Sequence, residues 1–289
     1  MKEIVLIVGR GIGQVMFQKS SLSGALMLIG ILLTSWKLAV LAVLGNIVST
    51  LTAYLSSYSR EDINNGLYGF NGTLVGIAVG VFMPITISTI ILLVVASCLS
   101  TWIARLFGFQ HFFPGLTFPF VLVVWMLLII CSYLFPSLLL TSGEIVSEKN
   151  LACFQAFCLN IGQVMFQGAN CVSGLLFLLA VWVNSRVNAC YTILGALLPI
   201  GVTICSGVAF SDINGGLIGY NGVLCAIALG DKTWKGATYA ILSILLSVVL
   251  QLMGMRLGIT TLTSPFVFSI WIILVLQKLF QMWNRTSKR

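Results

Sequence analysis

An all-α integral membrane protein built from two inverted, homologous halves is what this sequence predicts, on three observations. Of 289 residues, 59% are hydrophobic and 8% charged, with a mean hydropathy of +1.08. A soluble domain carries about 25% charged residues, because water must be met by polar groups over its whole surface. This surface is suited to lipid instead. Apolar stretches near the roughly 20 residues a bilayer core demands recur along the chain. Finally, three motifs occur twice, in the same order, about half a chain apart.

The repeat comes first, because it sets the architecture. Ile12-Gly13-Gln14-Val15-Met16-Phe17-Gln18 returns unchanged as Ile161-Gly162-Gln163-Val164-Met165-Phe166-Gln167. Asp62-Ile63-Asn64 and the following Gly66-Leu67-Tyr68-Gly69-Phe70-Asn71-Gly72 return as Asp212-Ile213-Asn214 and Gly216-Leu217-Ile218-Gly219-Tyr220-Asn221-Gly222. Thr117-Phe118-Pro119-Phe120 returns as Thr263-Ser264-Pro265-Phe266. The offsets are 149, 150 and 146 residues, which divides the chain into half-repeats 1–145 and 146–289 of one membrane domain.

Five candidate spans fall in the first half, at 20–35, 37–57, 66–83, 85–106 and 116–136. Five more fall in the second, at 170–184, 187–208, 216–230, 235–255 and 262–283. The first of each set is short, and could begin earlier, at the glutamine motif. Five is odd, so the second half enters the membrane from the opposite side, related to the first by a pseudo-two-fold axis in the membrane plane. With a cytoplasmic N-terminus, Lys2, Arg10, Lys19, Arg60, Arg105, Arg186, Lys232, Lys235, Lys278, Arg285, Lys288 and Arg289 gather on the cytoplasmic side. Only Lys37, Lys149 and Arg256 gather on the other. That positive-inside asymmetry places both termini in the cytoplasm.

The rest of the composition excludes function classes. The net charge of +8 comes from basic residues scattered singly between apolar runs, so they read as topology signals and not as a nucleic-acid patch. The eight cysteines (Cys98, Cys131, Cys153, Cys158, Cys171, Cys190, Cys205, Cys225) contain no C-x-x-C pair and read as small hydrophobes, with no metal site and no cofactor expected. Met1 to Arg10 is too short for a signal peptide, and no processing is expected. All seven acids (Glu3, Glu61, Asp62, Glu144, Glu148, Asp212, Asp231) fall in loops or at span ends, as does the one histidine, His111. No carboxylate or lysine therefore remains at mid-membrane to couple transport to a proton. The same inventory cannot assemble a Ser-His pair, paired aspartates or a metal motif, so no enzyme is expected. Ammonium channels use paired pore histidines and aquaporins two Asn-Pro-Ala turns; neither is present. What is left is passage of a neutral molecule.

The polar side chains within the apolar stretches are themselves neutral and paired between halves: Gln14 with Gln163, Asn71 with Asn221, Thr117 with Thr263. Inversion brings such pairs face to face around a central path. Buried and unpartnered, each would cost about 1–3 kcal/mol, so each needs protein, water or a permeant molecule. For Asn71 and Asn221, in glycine-rich turns, hydrogen bonding to neighbouring helices is favoured over pore lining. For Gln14 and Gln163 the pore is favoured, because each lies three residues before a phenylalanine, Phe17 or Phe166, on one helical face. Amide beside ring makes a flat slot with one polar edge, which suits a flat, amide-like solute. Thr117 and Thr263 precede Pro-Phe at the start of an apolar run, where helix capping and pore lining stand level.

On these motifs the chain resembles the urea transporter family. That family carries Leu-Pro-x-x-Thr-x-Pro-Phe in each half, seen here as Phe113-Pro114-Gly115-Leu116-Thr117-Phe118-Pro119-Phe120 and, without the first proline, as Ile259-Thr260-Thr261-Leu262-Thr263-Ser264-Pro265-Phe266. Gly-x-Gln-Val-x-Phe and Gly-Leu-Tyr-Gly-Phe-Asn are similar to further family motifs, and the likeness runs from about residue 10 to 270. The resemblance implies a bacterial-type, multi-pass protein of the cytoplasmic (inner) membrane, a homotrimer in lipid with one pore per subunit. It implies about ten spanning helices plus two half-spanning re-entrant helices, near 60–70 and 210–219. It implies passive, channel-like transport of urea, held in a narrow slot between Phe17 and Phe166. Gln14, Gln163, Thr117 and Thr263 would supply a ladder of oxygen acceptors, and Leu74 and Leu224 the apolar walls. The alternatives are a channel of the same fold for a short amide, ammonia or water, and a non-transporting membrane scaffold.

Overall fold

In the computed structural model, residues 2–108, 113–140, 148, 150–204 and 206–286 are described; His111, Glu144, Lys149, Cys205, Lys288 and Arg289 lie outside them. The fold among the described residues is all-helical. The first half runs α1 (Lys2–Gln14), α2 (Ser21–Thr34), α3 (Trp36–Leu55), α4 (Arg60–Asn64), α5 (Gly69–Phe82), α6 (Ile87–Gly108) and α7 (Phe118–Leu134). The second runs α8 (Cys153–Gly162), α9 (Cys171–Asn184), α10 (Arg186–Ile204), α11 (Phe210–Asn214), α12 (Tyr220–Leu229), α13 (Trp234–Arg256) and α14 (Ser264–Thr286).

Helix α3 shows how the sequence codes for lipid. Its buried face holds Ala39, Ala42, Gly45, Asn46, Ser49 and Thr52, while Val40, Ile47, Leu51 and Leu55 are exposed. Small and polar residues inside with branched aliphatics outside reverse the pattern of a soluble helix. No Asp, Glu, Lys or Arg among the described residues is buried. Five helices are long and apolar enough to cross a bilayer: α3, α6, α10, α13 and Ser264–Trp283 of α14. By contrast α2, α5 and α9 have 14 residues and α12 has 10. At 1.5 Å per residue, 14 residues reach about 21 Å of a roughly 30 Å core. The spans expected from 66 and 216 begin later, at Gly69 and Tyr220, because Gly66 (φ 77°) and Gly216 (φ 71°) turn the backbone left-handed there. The segments expected to be re-entrant hold only five-residue helices, α4 and α11.

The glutamine motifs also differ from expectation. They do not open α2 and α9; they close separate short helices, α1 and α8. After Gln14 and Gly162 the chain tightens into a 3-10 turn, in which the Phe17 N–H reaches the Gln14 carbonyl (3.0 Å) and the Phe166 N–H the Gln163 carbonyl (3.0 Å). Both phenylalanines are left-handed, φ 60°, and no helix continues through a bulky residue in that conformation.

Helices close on one another through small residues. A Cβ added at Gly72 on α5 would stand 2.2 Å from the Gly45 carbonyl of α3 and 2.2 Å from Ser49 Oγ. Gly72→Val is therefore expected to cost at least about 3 kcal/mol by overpacking, and to abolish recovery of folded protein from detergent; normal thermal stability would contradict this packing.

Contacts between the halves are reciprocal. Ser23 Oγ donates to the Ala180 carbonyl (2.7 Å), and Ser173 Oγ to the Gly30 carbonyl (2.7 Å), joining α2 to α9 in both directions. Trp125 Nε1 donates to the Thr260 carbonyl (2.7 Å) and Trp271 Nε1 to the Pro114 carbonyl (2.9 Å). Residue i meeting j while j's counterpart meets i's is the pattern of an isologous pair.

Candidate functional site

Where the reciprocal contacts converge, Thr117 and Thr263 meet. Their hydroxyls lie 2.7 Å apart and both residues are buried. Thr117 occupies the N-cap position of α7, yet its hydroxyl caps nothing and bonds Thr263 instead. Of the two readings of this threonine, capping is the one the geometry does not use.

Two cavities are lined by these segments and their neighbours. The wider, about 540 Å³, is lined by Gln163, Phe166, Tyr220, Gln251, Thr261 and Thr263. The narrower, about 310 Å³, is lined by Asp62, Tyr68, Phe70, Asn71, Phe107 and Leu116, the neighbour of Thr117. Both fit the range of roughly 300–1,000 Å³ usual for small-molecule clefts; Thr263 itself lines the wider one and Leu116, next to Thr117 in the chain, the narrower. The two cavities use matching positions of the halves, Leu67, Phe70 and Leu116 on one side and Leu217, Tyr220 and Leu262 on the other.

The glutamines are held alike. Gln14 Nε2 donates to the Asn65 carbonyl (2.9 Å) and Gln163 Nε2 to the Gly215 carbonyl (3.0 Å). With the nitrogen so engaged, each side chain keeps its oxygen as a free acceptor, and Gln163 lines the wider cavity. The second glutamine of each motif serves the turn: Gln18 Nε2 reaches the Met16 carbonyl (2.5 Å) and Gln167 Nε2 that of Met165 (2.6 Å).

The rings fall into two groups. Phe17 packs edge-on against Phe266 (centroids 6.1 Å), and Phe166 packs edge-on against Phe120 (6.2 Å) and Phe82 (6.0 Å). Each phenylalanine of one glutamine motif thus meets the Thr-x-Pro-Phe segment of the other half. Gln163 and Phe166 both line the wider cavity, presented by a 3-10 turn that ends in a left-handed residue and not by one α-helical face.

Asn71 and Asn221 do what hydrogen bonding to neighbours predicts. Asn71 accepts the Phe120 N–H (3.2 Å) and donates to the Leu116 carbonyl (3.4 Å); Asn221 accepts the Phe266 N–H (3.2 Å) and donates to the Leu262 carbonyl (3.3 Å). Each asparagine fixes the start of α7 or α14, and so the height of the threonine. Leu116 (φ 47°) and Leu262 (φ 51°), directly before the threonines, are left-handed. Of five non-glycine residues with positive φ among those described, four are these leucines and Phe17 and Phe166. Such strain costs about 1–3 kcal/mol per residue and gathers where function holds it.

Leu74 and Leu224 are wholly buried, one turn beyond the asparagines on α5 and α12, in the core and not on either cavity wall. Sequence reasoning did not single out Tyr220, Gln251 or Thr261. Tyr220 and Thr261 lay inside quoted motifs; Gln251 lay in an apolar run whose only clue was its match, at the 146-residue offset of the threonines, with Arg105. Among the described residues, no group of three His, Cys, Asp or Glu stands close enough to hold a metal ion.

A family model described as urea transporter matches residues 5–278. The chain is 32% identical over 250 residues to Urea transporter 1 of Mus musculus, covering 78% of this chain and 64% of that protein. It is 31% identical to the Rattus norvegicus protein, again over 64% of the latter's length. To the Ovis aries protein it is 28% identical over 296 positions, 92% of this chain and 75% of that one. The chain therefore spans about 64% of the length of the rodent relatives it matches. Since the family match takes in both glutamine turns, both threonine segments and both cavities, the chain belongs to the urea transporter family.

Proposed function

We propose that the protein carries urea passively through a pore within each subunit, passing one cavity, the threonine pair and then the other cavity. The observation that carries this reading is the Thr117–Thr263 pair, two neutral buried hydroxyls of which one lines the wider cavity and the other follows Leu116 at the narrower, with no Asp, Glu, Lys or Arg buried among the described residues. Urea is flat and neutral with four N–H donors. Oxygens of Gln14, Gln163, Thr117 and Thr263 replace its water shell in steps, as filter carbonyls do for ions. Phe17 and Phe166, with the rings they pack on, narrow the passage for bulkier solutes; Leu74 and Leu224 back the lining. An ion gains nothing here to offset its dehydration.

The same reading takes the halves as inverted copies, supported by the reciprocal contacts and the odd number of candidate spans. It takes both termini as cytoplasmic, supported by the basic residues, and the assembly as a homotrimer in the inner membrane, supported by the family resemblance. Its short helices α4 and α11 would belong to the re-entrant segments.

Stopped-flow light scattering on proteoliposomes tests the reading. Urea entry is expected to be many times faster than into protein-free vesicles and independent of pH and sodium. Folded protein that speeds water or acetamide but not urea would transfer the assignment to another neutral solute, and no acceleration of any solute would leave a membrane scaffold.

A further inference from the structure

The ladder of acceptors serves the N–H groups of urea and leaves its carbonyl oxygen without a partner. The wider cavity holds one that motif reading does not find. Gln251 on α13 is 3% exposed and lines that cavity. The orientation of its amide is dictated by a chain of donors. The backbone N–H of Phe266 can only donate, and it donates to Asn221 Oδ1 (3.2 Å). Asn221 must then present its nitrogen to Gln251, whose Oε1 receives it at 3.1 Å. The same Oε1 accepts the Thr261 hydroxyl at 2.9 Å. With its oxygen taken twice, Gln251 has two N–H donors left. The Tyr220 hydroxyl beside it sends its own proton to the Leu262 carbonyl (2.5 Å). At least one N–H remains for an occupant of the cavity that Gln251 lines.

We propose that Gln251 is the carbonyl-binding residue of an amide subsite in the wider cavity, donating to the C=O of a urea-like solute while Gln163 accepts from its N–H. The proposal rests on the urea reading above and extends it to the recognition of one particular atom. Donor and acceptor together match an uncharged R–CO–NH2 group, which a wall of acceptors alone does not distinguish from other N–H donors.

The subsite belongs to one mouth only. At the matching places of the other half stand Arg105 for Gln251, Phe70 for Tyr220 and Gly115 for Thr261. Arg105 lies over the Tyr58 ring at 5.0 Å and engages Tyr68. The two cavities, alike in backbone, therefore greet a solute differently. Detailed balance keeps permeability equal in both directions at low solute concentration, but half-saturation differs with the side from which urea enters.

The test compares wild type with Gln251→Met, which keeps the length of the side chain and removes its hydrogen bonds, in oriented proteoliposomes. Urea flux is expected to fall about tenfold, the value of one charge-free hydrogen bond in a dry site. Thiourea flux, whose sulfur is a poor acceptor, is expected to fall less, so the urea-to-thiourea ratio drops. An unchanged ratio in folded variant protein overturns the proposal. Should Gln251→Met not fold, the wild type decides: equal permeability to urea and thiourea, with half-saturation equal from both sides, overturns the subsite, and preference for urea with unequal half-saturation supports it. Absence of urea flux in wild type would sink the transport reading instead, so the two failures are told apart.

Discussion

Replacing Thr117 and Thr263 together by valine is expected to lower urea flux about a hundredfold while leaving the fold almost as stable as before. The two effects separate because of how the hydroxyls are arranged. They bond each other at 2.7 Å and are buried. Removing both at once takes away donor and acceptor together, and valine matches threonine in shape, so the folded state loses little. A permeating urea, by contrast, must leave N–H groups unpaired at the point where it is most stripped of water. Two such losses of about 1.4 kcal/mol each multiply to a hundredfold in rate. Each single variant strands a buried hydroxyl and should be less stable than the double variant. Thermal unfolding in detergent with stopped-flow flux checks both halves of the argument. A double variant with wild-type flux would remove the threonines from the path.

At Phe166, glycine is expected to be better tolerated than alanine by about 1 kcal/mol in stability, with urea flux cut about tenfold in either variant. The phenylalanine is left-handed at φ 60°, a conformation that costs an L-residue with a Cβ about 1–2 kcal/mol and glycine almost nothing. Within a helix the order would be reversed, since glycine there is worse than alanine by about 1 kcal/mol. The order therefore reports whether the slot ring is presented by a strained turn. Both variants lose the edge-on contacts with Phe120 and Phe82 and the ring that, on the proposed reading, narrows the passage. Phe17, with the same φ and its contact with Phe266, should behave alike. Alanine more stable than glycine, or undiminished flux, would count against a strained slot.

Much of this was legible in the chain because lipid imposes simple conditions. Few charges, long apolar runs and mostly uncharged polar residues within them follow directly from a solvent that satisfies no hydrogen bond. The exposed aliphatics and buried small or polar residues of α3 follow the same demand. The doubled motifs put Gln14, Gln163, Thr117 and Thr263 forward as partners without any coordinates. Less legible were the breaks. That Gln14 ends a helix depends on a left-handed Phe17, and nothing in a three-residue spacing tells a 3-10 turn from a turn of α-helix. Leu74 and Leu224 lie in the core because α5 and α12 are surrounded on every side, which residue type alone does not reveal.

By itself, then, the sequence determined the lipid solvent, the helical class and the doubled motifs, since each is a matter of composition and order along one chain. The tertiary structure alone decided that Thr117 and Thr263 touch, that each slot phenylalanine leans on the opposite half, and that the oxygen of Gln251 is already engaged. Those contacts join residues far apart in the chain, such as Thr117 with Thr263, 146 positions apart, and Phe17 with Phe266. They depend on how helices cross and which way an amide is turned, and a hydrogen bond's direction is set by every neighbour it has, not by the residue that makes it.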